Sequence, residues 1–254
     1  MFPESKQWPR KGEAAKSGFL RFAVLALLAA GTITFGAVHP RTVEQLRAEP
    51  VEWARLITPN KDWDIHGDRD PDLASFIRDN TSLDIHRSSQ SANPANLNDL
   101  CRHPFIYAKD LRWVSDAAQL ANIGEYLRRG GFLCVDACAT EAVNPDMEVY
   151  LRANSDIFKR IFPKADIRKL PPTHALYHCY FNLSRADIYT ADMGNQTRCA
   201  NYGLYGVFVN HRMVAVISMY GLECGWPQTP LRTSGCMKFI LNIYVYAMTA
   251  GPEE

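Results

Sequence analysis

The chain has 254 residues, of which 47% are apolar, enough to build the core of one α/β domain of ordinary size with appendages. Its formal net charge of +1 excludes a basic field for nucleic acid and a polyacidic tail. The sequence contains no internal repeat and no low-complexity tract.

The first element is an apolar run. Phe22–Val38 carries no charge over 17 residues. At ~1.5 Å per residue it spans roughly 25 Å, close to the ~30 Å hydrocarbon core of a bilayer. Phe19–Leu20 extend the apolar surface and Arg21 can snorkel, so the expected anchor is residues 19–38. The preceding flank holds Lys6, Arg10, Lys11, Lys16 and Arg21 against Glu4 and Glu13. The following flank balances Arg41, Arg47 and Arg55 with Glu44, Glu49 and Glu52. By the positive-inside rule, residues 1–18 form a cytoplasmic tail and the rest lies outside. The expectation is a single-pass protein of the inner (cytoplasmic) membrane with a periplasmic C-terminal domain. A cleaved signal peptide is the rival reading, disfavoured by the long charged segment and by Phe35 three residues before a cut after Ala37. A buried core helix is the third.

Residues 39–60 read as a helical stalk, two short helices broken at Pro50. The domain is then 61–254. Its acidic run Asp62–Asp70 lacks the spacing of a calcium loop. Asp72–Asp79 is expected to be a helix, Ser82–His86 a strand and Ser88–Asn98 a polar loop. The segment Phe105–Asp136 is the most informative. Phe105–Ala108 and Phe132–Val135 are unbroken apolar runs, as in strands covered on both faces. Between them Leu120, Ile123, Gly124 and Leu127 keep helical spacing, with Ser115 as N-cap and Gly130 at the left-handed C-terminal position. Together they predict a right-handed βαβ unit, its strands parallel and central. A helix follows from Pro145 to Pro163, with Met147, Tyr150, Leu151, Phe158 and Ile161 inward. Asp166–Leu170 is a further strand and Pro171–Arg198 is irregular. Gly206–Asn210 and Met213–Ser218 form strands about the turn Asn210–His211. Thr233–Thr249 closes the chain as a helix with Met237, Ile240, Leu241, Tyr244 and Met248 inward. Strands alternating with helices define an α/β fold with a largely parallel sheet flanked by helices.

Sites in open parallel sheets form at the carboxyl ends of strands. Here those ends carry Lys109–Asp110 and Asp136–Ala137–Cys138. Asp136 is either a ligand contact or general base, or a cap for the following loop. Asp110 and Arg112 face the same crevice or form a surface ion pair. Cys138 is a candidate nucleophile without a base at readable spacing, and Glu141 has a weaker claim on the same loop. His174 and His178 lie four apart in an extended, aromatic stretch, short of the carboxylate partners a metal needs. Glu223 and Trp226 either wall a pocket or belong to a glycine-rich turn whose indole covers the core. Of the seven cysteines none forms a CxxC and no Cys/His group has zinc spacing, so no metal and no cofactor is expected. The odd count leaves a thiol free, and an exported domain favours Cys199 and Cys224 for a disulfide.

The elements HPFIYAKD, YLRRGGFLCVDA, a helix ending IFP, and KLPPTHALYHCYF resemble the prokaryotic domain-of-unknown-function family 4159. The resemblance covers roughly Asp62–Ala250 and implies a class I glutamine amidotransferase-like (ThuA-like) fold. It does not imply amidotransferase chemistry. The equivalent strand ends in Asp136–Ala137–Cys138–Ala139 without the glycines of a G-x-C-x-G elbow, and the chain lacks the H-x-E pair. Three functions are expected, the first being the leading one: a non-catalytic domain at the outer membrane face binding a partner protein or cell-envelope ligand; a hydrolase or sugar-modifying enzyme at the Asp110/Asp136/Glu223 edge; a scaffold subunit of a membrane complex.

Overall fold

The structure is a computed structural model, and it describes residues 51–137, 146–188, 202–226 and 235–251. All belong to one compact unit, Thr42–Glu254. The expected anchor, its cytoplasmic tail and the first half of the stalk lie outside the described residues. Among the described residues no helix is long and apolar enough to cross a membrane.

Seven strands form one sheet: β1 (Ala54–Leu56), β2 (Gln90–Ala92), β3 (Phe105–Ala108), β4 (Phe132–Asp136), β5 (Asp166–Lys169), β6 (Leu204–Val209) and β7 (Arg212–Ser218). Their order is β2-β1-β3-β4-β7-β6-β5. The first five in that order are parallel, and β6 and β5 add an antiparallel edge. Among the described residues five α-helices accompany them: α1 (Asp70–Asn80), α2 (Leu97–Leu100), α3 (Ala117–Arg128), α4 (Met147–Ile161) and α5 (Gly235–Thr249).

The βαβ unit is as the sequence predicts. β3 and β4 are adjacent, parallel and inside the sheet, with Phe105 opposite Phe132 and Ala108 opposite Val135. Asp116, rather than Ser115, caps α3, because its carboxylate accepts from the Gln119 amide at 2.8 Å. The helix ends at a glycine pair with divided labour. Gly130 takes φ +105°, open to glycine at no steric cost, whereas Gly131 faces the Tyr126 ring, which an added Cβ would meet at 2.2 Å.

Side-chain alternation separates two cores. Phe105, Tyr107, Phe132, Cys134 and Val216 point to one face, covered by α1 and α5. Ile106, Ala108, Leu133, Val135 and Ile217 point to the other, covered by α3 and α4. α5 is buried on nearly all sides, which explains its apolar composition, although Met248 near its end is exposed. The hairpin β6–β7 turns at Asn210 and His211, both with positive φ (50° and 65°), as a tight two-residue hairpin turn requires.

Three expectations need correction. The second half of the helical stalk is not helical: Ala54–Leu56 is β1, an interior strand whose backbone pairs on both sides. Buried pairing overrides the helical pattern that its charged residues suggest. Ser82–His86 contributes only an isolated bridge, Val51 to Ile85. The edge strand β2 instead lies inside the supposed polar loop 88–98, where Gln90 and Ser91 face outward enough to stay polar.

Candidate functional site

One sheet face ends in a row of polar groups at its carboxyl edge. Arg55 on β1 lies two residues after Trp53, Asp136 follows Cys134 on β4, and Ser218 follows Val216 on β7, all on the aromatic face. Register places Arg55 opposite Tyr107 and Asp136 opposite Ser218. The edge is therefore built by topology: β1 lies beside β3, which brings residue 55 next to residues numbered above 100 and 200.

Arg55 is the centre of this row. It is 1% exposed, and a buried cation must be paired to persist. Its Nε donates to Asp70 Oδ2 at 2.8 Å and its Nη2 to Asp70 Oδ1 at 2.7 Å, a bidentate fork. Nη1 donates to Glu223 Oε2 at 3.2 Å, and Nη2 also reaches the His66 carbonyl at 3.3 Å. The guanidinium carbon lies 5.1 Å from the Tyr107 ring centre and 5.6 Å from that of Trp226. Burial works against the charge, but Asp70 above all, with Tyr107 and Glu223, more than offsets it and raises the guanidinium pKa. Asp64, half exposed, approaches Arg55 Nε at 3.7 Å.

Asp136 is fully buried beside this pair. Its Oδ2 accepts from the Tyr107 hydroxyl at 2.9 Å and from the Glu223 amide at 3.4 Å. Burial pushes its carboxyl up to about 7; the Ser218 and Tyr107 hydroxyls oppose that shift, and the charge of Glu223 adds to it. Burial likewise keeps Tyr107 protonated and able to donate. Asp136 Oδ1 and Glu223 Oε1 have no hydrogen-bond partner. Asp70 and Glu223 thus share the Arg55 guanidinium, and Asp136, bonded to Tyr107 and to the Glu223 amide, is pushed toward neutrality chiefly by burial.

The expected site residues separate into groups. Asp136 and Glu223 come together, and Trp226 packs beside them, its ring 5.7 Å from Trp53 and 5.5 Å from Tyr107. Both Glu223 and Trp226 are buried. Asp110 and Arg112 form their own pair, Nε to Oδ2 at 2.6 Å, and Arg112 stacks over Tyr150 at 5.4 Å. Asp110 also accepts from the Arg112 amide, so it caps its loop. His174 caps a short turn by accepting from the Leu176 amide and packs against Tyr246. His178 bonds Asn182 and the Pro172 carbonyl. Cys138, Glu141 and Cys199 lie outside the described residues. Among the described residues no three His, Cys, Asp or Glu side chains are grouped to hold a metal.

Arg55, Asp70 and Tyr107 were not expected. Tyr107 is hidden in an apolar run, and Asp70 in an acidic loop. The one signal for Arg55 is its place directly before Leu56–Ile57, after Trp53–Ala54, in a short run apolar apart from itself.

At the outer rim of the same edge two large apolar side chains are exposed among charged neighbours. Trp113, in the loop after β3, is 51% exposed, and Ile65, in the loop after β1, is also exposed.

These features define the molecule as an α/β protein with a mostly parallel seven-stranded sheet flanked by helices, carrying a buried charge network at its carboxyl edge. The chain matches the model of a domain of unknown function, DUF4159, over residues 52–248, and belongs to that family. A search of curated proteins found no match.

Proposed function

We propose that this protein is a membrane-anchored, exported, non-catalytic domain that binds a partner protein through the carboxyl edge of its sheet. The observation that carries the reading is the sealing of the edge acids. Asp70, Asp136 and Glu223 are buried and engaged with Arg55, Tyr107 and one another, so they hold the edge together instead of meeting a substrate. Among the groups the rim offers to solvent is Trp113, and exposed aromatics anchor protein interfaces. The membrane reading rests on the uncharged run Phe22–Val38 and on the charge asymmetry of its flanks. An amidotransferase-like ancestry is consistent with a mostly parallel sheet covered on both faces.

The test is photo-crosslinking in cells from a reactive side chain placed at Trp113, with Arg168 on the far edge strand as control. A discrete adduct from position 113 alone supports the reading. No adduct, or the same adducts from both positions, refutes it. A reporter fused after Glu254 should be active only when exported.

A second reading, hydrolysis, is favoured by Asp136, whose carboxyl near 7 and unpartnered Oδ1 suit a general acid or base. Ester or glycoside hydrolysis by the purified protein, abolished by Asp136→Asn, would put that reading first.

A further inference from the structure

The opposite edge of the sheet, at the amino ends of β3 and β4, holds a cavity of about 300 Å³ lined by Cys101, His103, Tyr126 and Arg129, with the Gly130–Gly131 backbone. Cys101 is exposed, whereas His103 is 1% exposed. His103 Nδ1 lies 3.3 Å from Glu52 Oε2, in an alignment that makes no hydrogen bond. Arg129 lines the cavity beside Cys101 while its Nε donates to Glu125 at 2.9 Å. Cys101, His103 and Arg129 therefore line one space large enough for a small organic molecule. No part of this constellation belongs to the charge network at the carboxyl edge.

We propose that Cys101 is a thiol-modification site that exchanges with small, anionic disulfides, whose carboxylate is received by Arg129. In the exchange the Cys101 thiolate sulfur attacks one sulfur of the incoming disulfide. That S–S bond breaks and a new one forms to Cys101. The electron pair leaves with the second half of the reagent, which departs as thiolate and takes up the proton that Cys101 gave up. Cys101 is oxidised and the released half is reduced, so the disulfide itself is the oxidant. His103 is the group in the cavity suited to receive the proton first. Burial lowers its pKa, against the pull of Glu52 and Asp99, so its ring is neutral at physiological pH.

Cys179 supplies the internal comparison. It is also exposed, but its thiol donates to the Asn242 carbonyl at 3.2 Å, and burial raises its pKa. The experiment treats the full chain at neutral pH with oxidised glutathione, an anionic disulfide, and with cystamine, a cationic one. Site-resolved mass spectrometry reads the rate at each cysteine. Cys101 is expected to react ahead of Cys179 and to prefer oxidised glutathione by roughly fivefold, the upper range for an exposed charge pair. Arg129→Gln should abolish that preference and Arg129→Lys should retain it. Arg129 is solvent-exposed, so neither change threatens the fold. Equal rates with the two reagents, a preference unchanged in Arg129→Gln, or Cys179 reacting first would overturn the proposal.

Discussion

Replacing Gly131 by alanine should destabilise the domain far beyond an ordinary loop substitution. The added Cβ would lie 2.2 Å from Cε2 and 2.3 Å from Cζ of Tyr126, where real contacts begin beyond 3 Å. A ring can often swing aside, but this one is held at its far end. The Tyr126 hydroxyl accepts from the Phe132 amide at 3.1 Å and lies 2.9 Å from the Phe132 carbonyl and 3.2 Å from that of Pro104. Overpacking costs about 1–3 kcal/mol. Displacing the hydroxyl adds about 1 kcal/mol for each bond lost. The sum is roughly 3–5 kcal/mol, which for a domain near 200 residues lowers the Tm by roughly 6–20 °C. Circular dichroism melts of wild type, Gly131→Ala, Tyr126→Ala and the double variant measure it. With the ring removed, Gly131→Ala should cost less than about 1 kcal/mol, a strong coupling between contacting residues. Wild-type stability in Gly131→Ala, or an equal cost with and without the ring, would refute the reasoning.

Three further outcomes are expected. Arg55→Met leaves Asp70 and Glu223 buried without their cation and should cost about 3–5 kcal/mol in urea unfolding; a loss under about 1 kcal/mol would mean that water already reaches the cluster. Asp136 has a folded pKa near 7 against an ordinary 3.8, so the folded state binds the extra proton and stability falls as pH rises from about 4 to 7. Asp136→Asn removes that loss, and its stability relative to wild type should improve between pH 4 and pH 8 by up to about 4 kcal/mol; a difference independent of pH would contradict the shift. His211→Gly relieves a positive φ of 65° in the exposed hairpin turn and should raise stability by about 1 kcal/mol, seen as a higher urea midpoint at unchanged slope.

What the sequence discloses follows from how local each determinant is. The β3–α3–β4 unit, the hairpin and the closing helix are specified within stretches of about 15–30 residues, where periodicity and turn chemistry act. β1 and β2 have three residues each, too few for a period to register; β1 exists because neighbours on either side complete its hydrogen bonds, and edge strand β2 because β1 completes its own on one side. The site divides in the same way. Asp136 is marked by its position just after a buried strand, and Glu223 by its glycine-rich turn. Arg55 owes its role to meeting Glu223 across the fold, and Asp70 to meeting Arg55, contacts set by the fold and invisible in the separate segments.

The Arg55–Glu223 contact also sets a timetable. It joins residues 168 apart in the chain, and the ribosome adds roughly 5–20 residues per second. Arg55 therefore exists for on the order of ten to thirty seconds before its second carboxylate has been made. β4 waits similarly for β7, its neighbour in the sheet. During that interval the nascent chain carries an interior strand edge with no permanent occupant, the kind of surface that invites mispairing. Whatever shelters the emerging polypeptide must hold it until Glu223 arrives, and synonymous changes that slow translation between the two residues would lengthen the exposure.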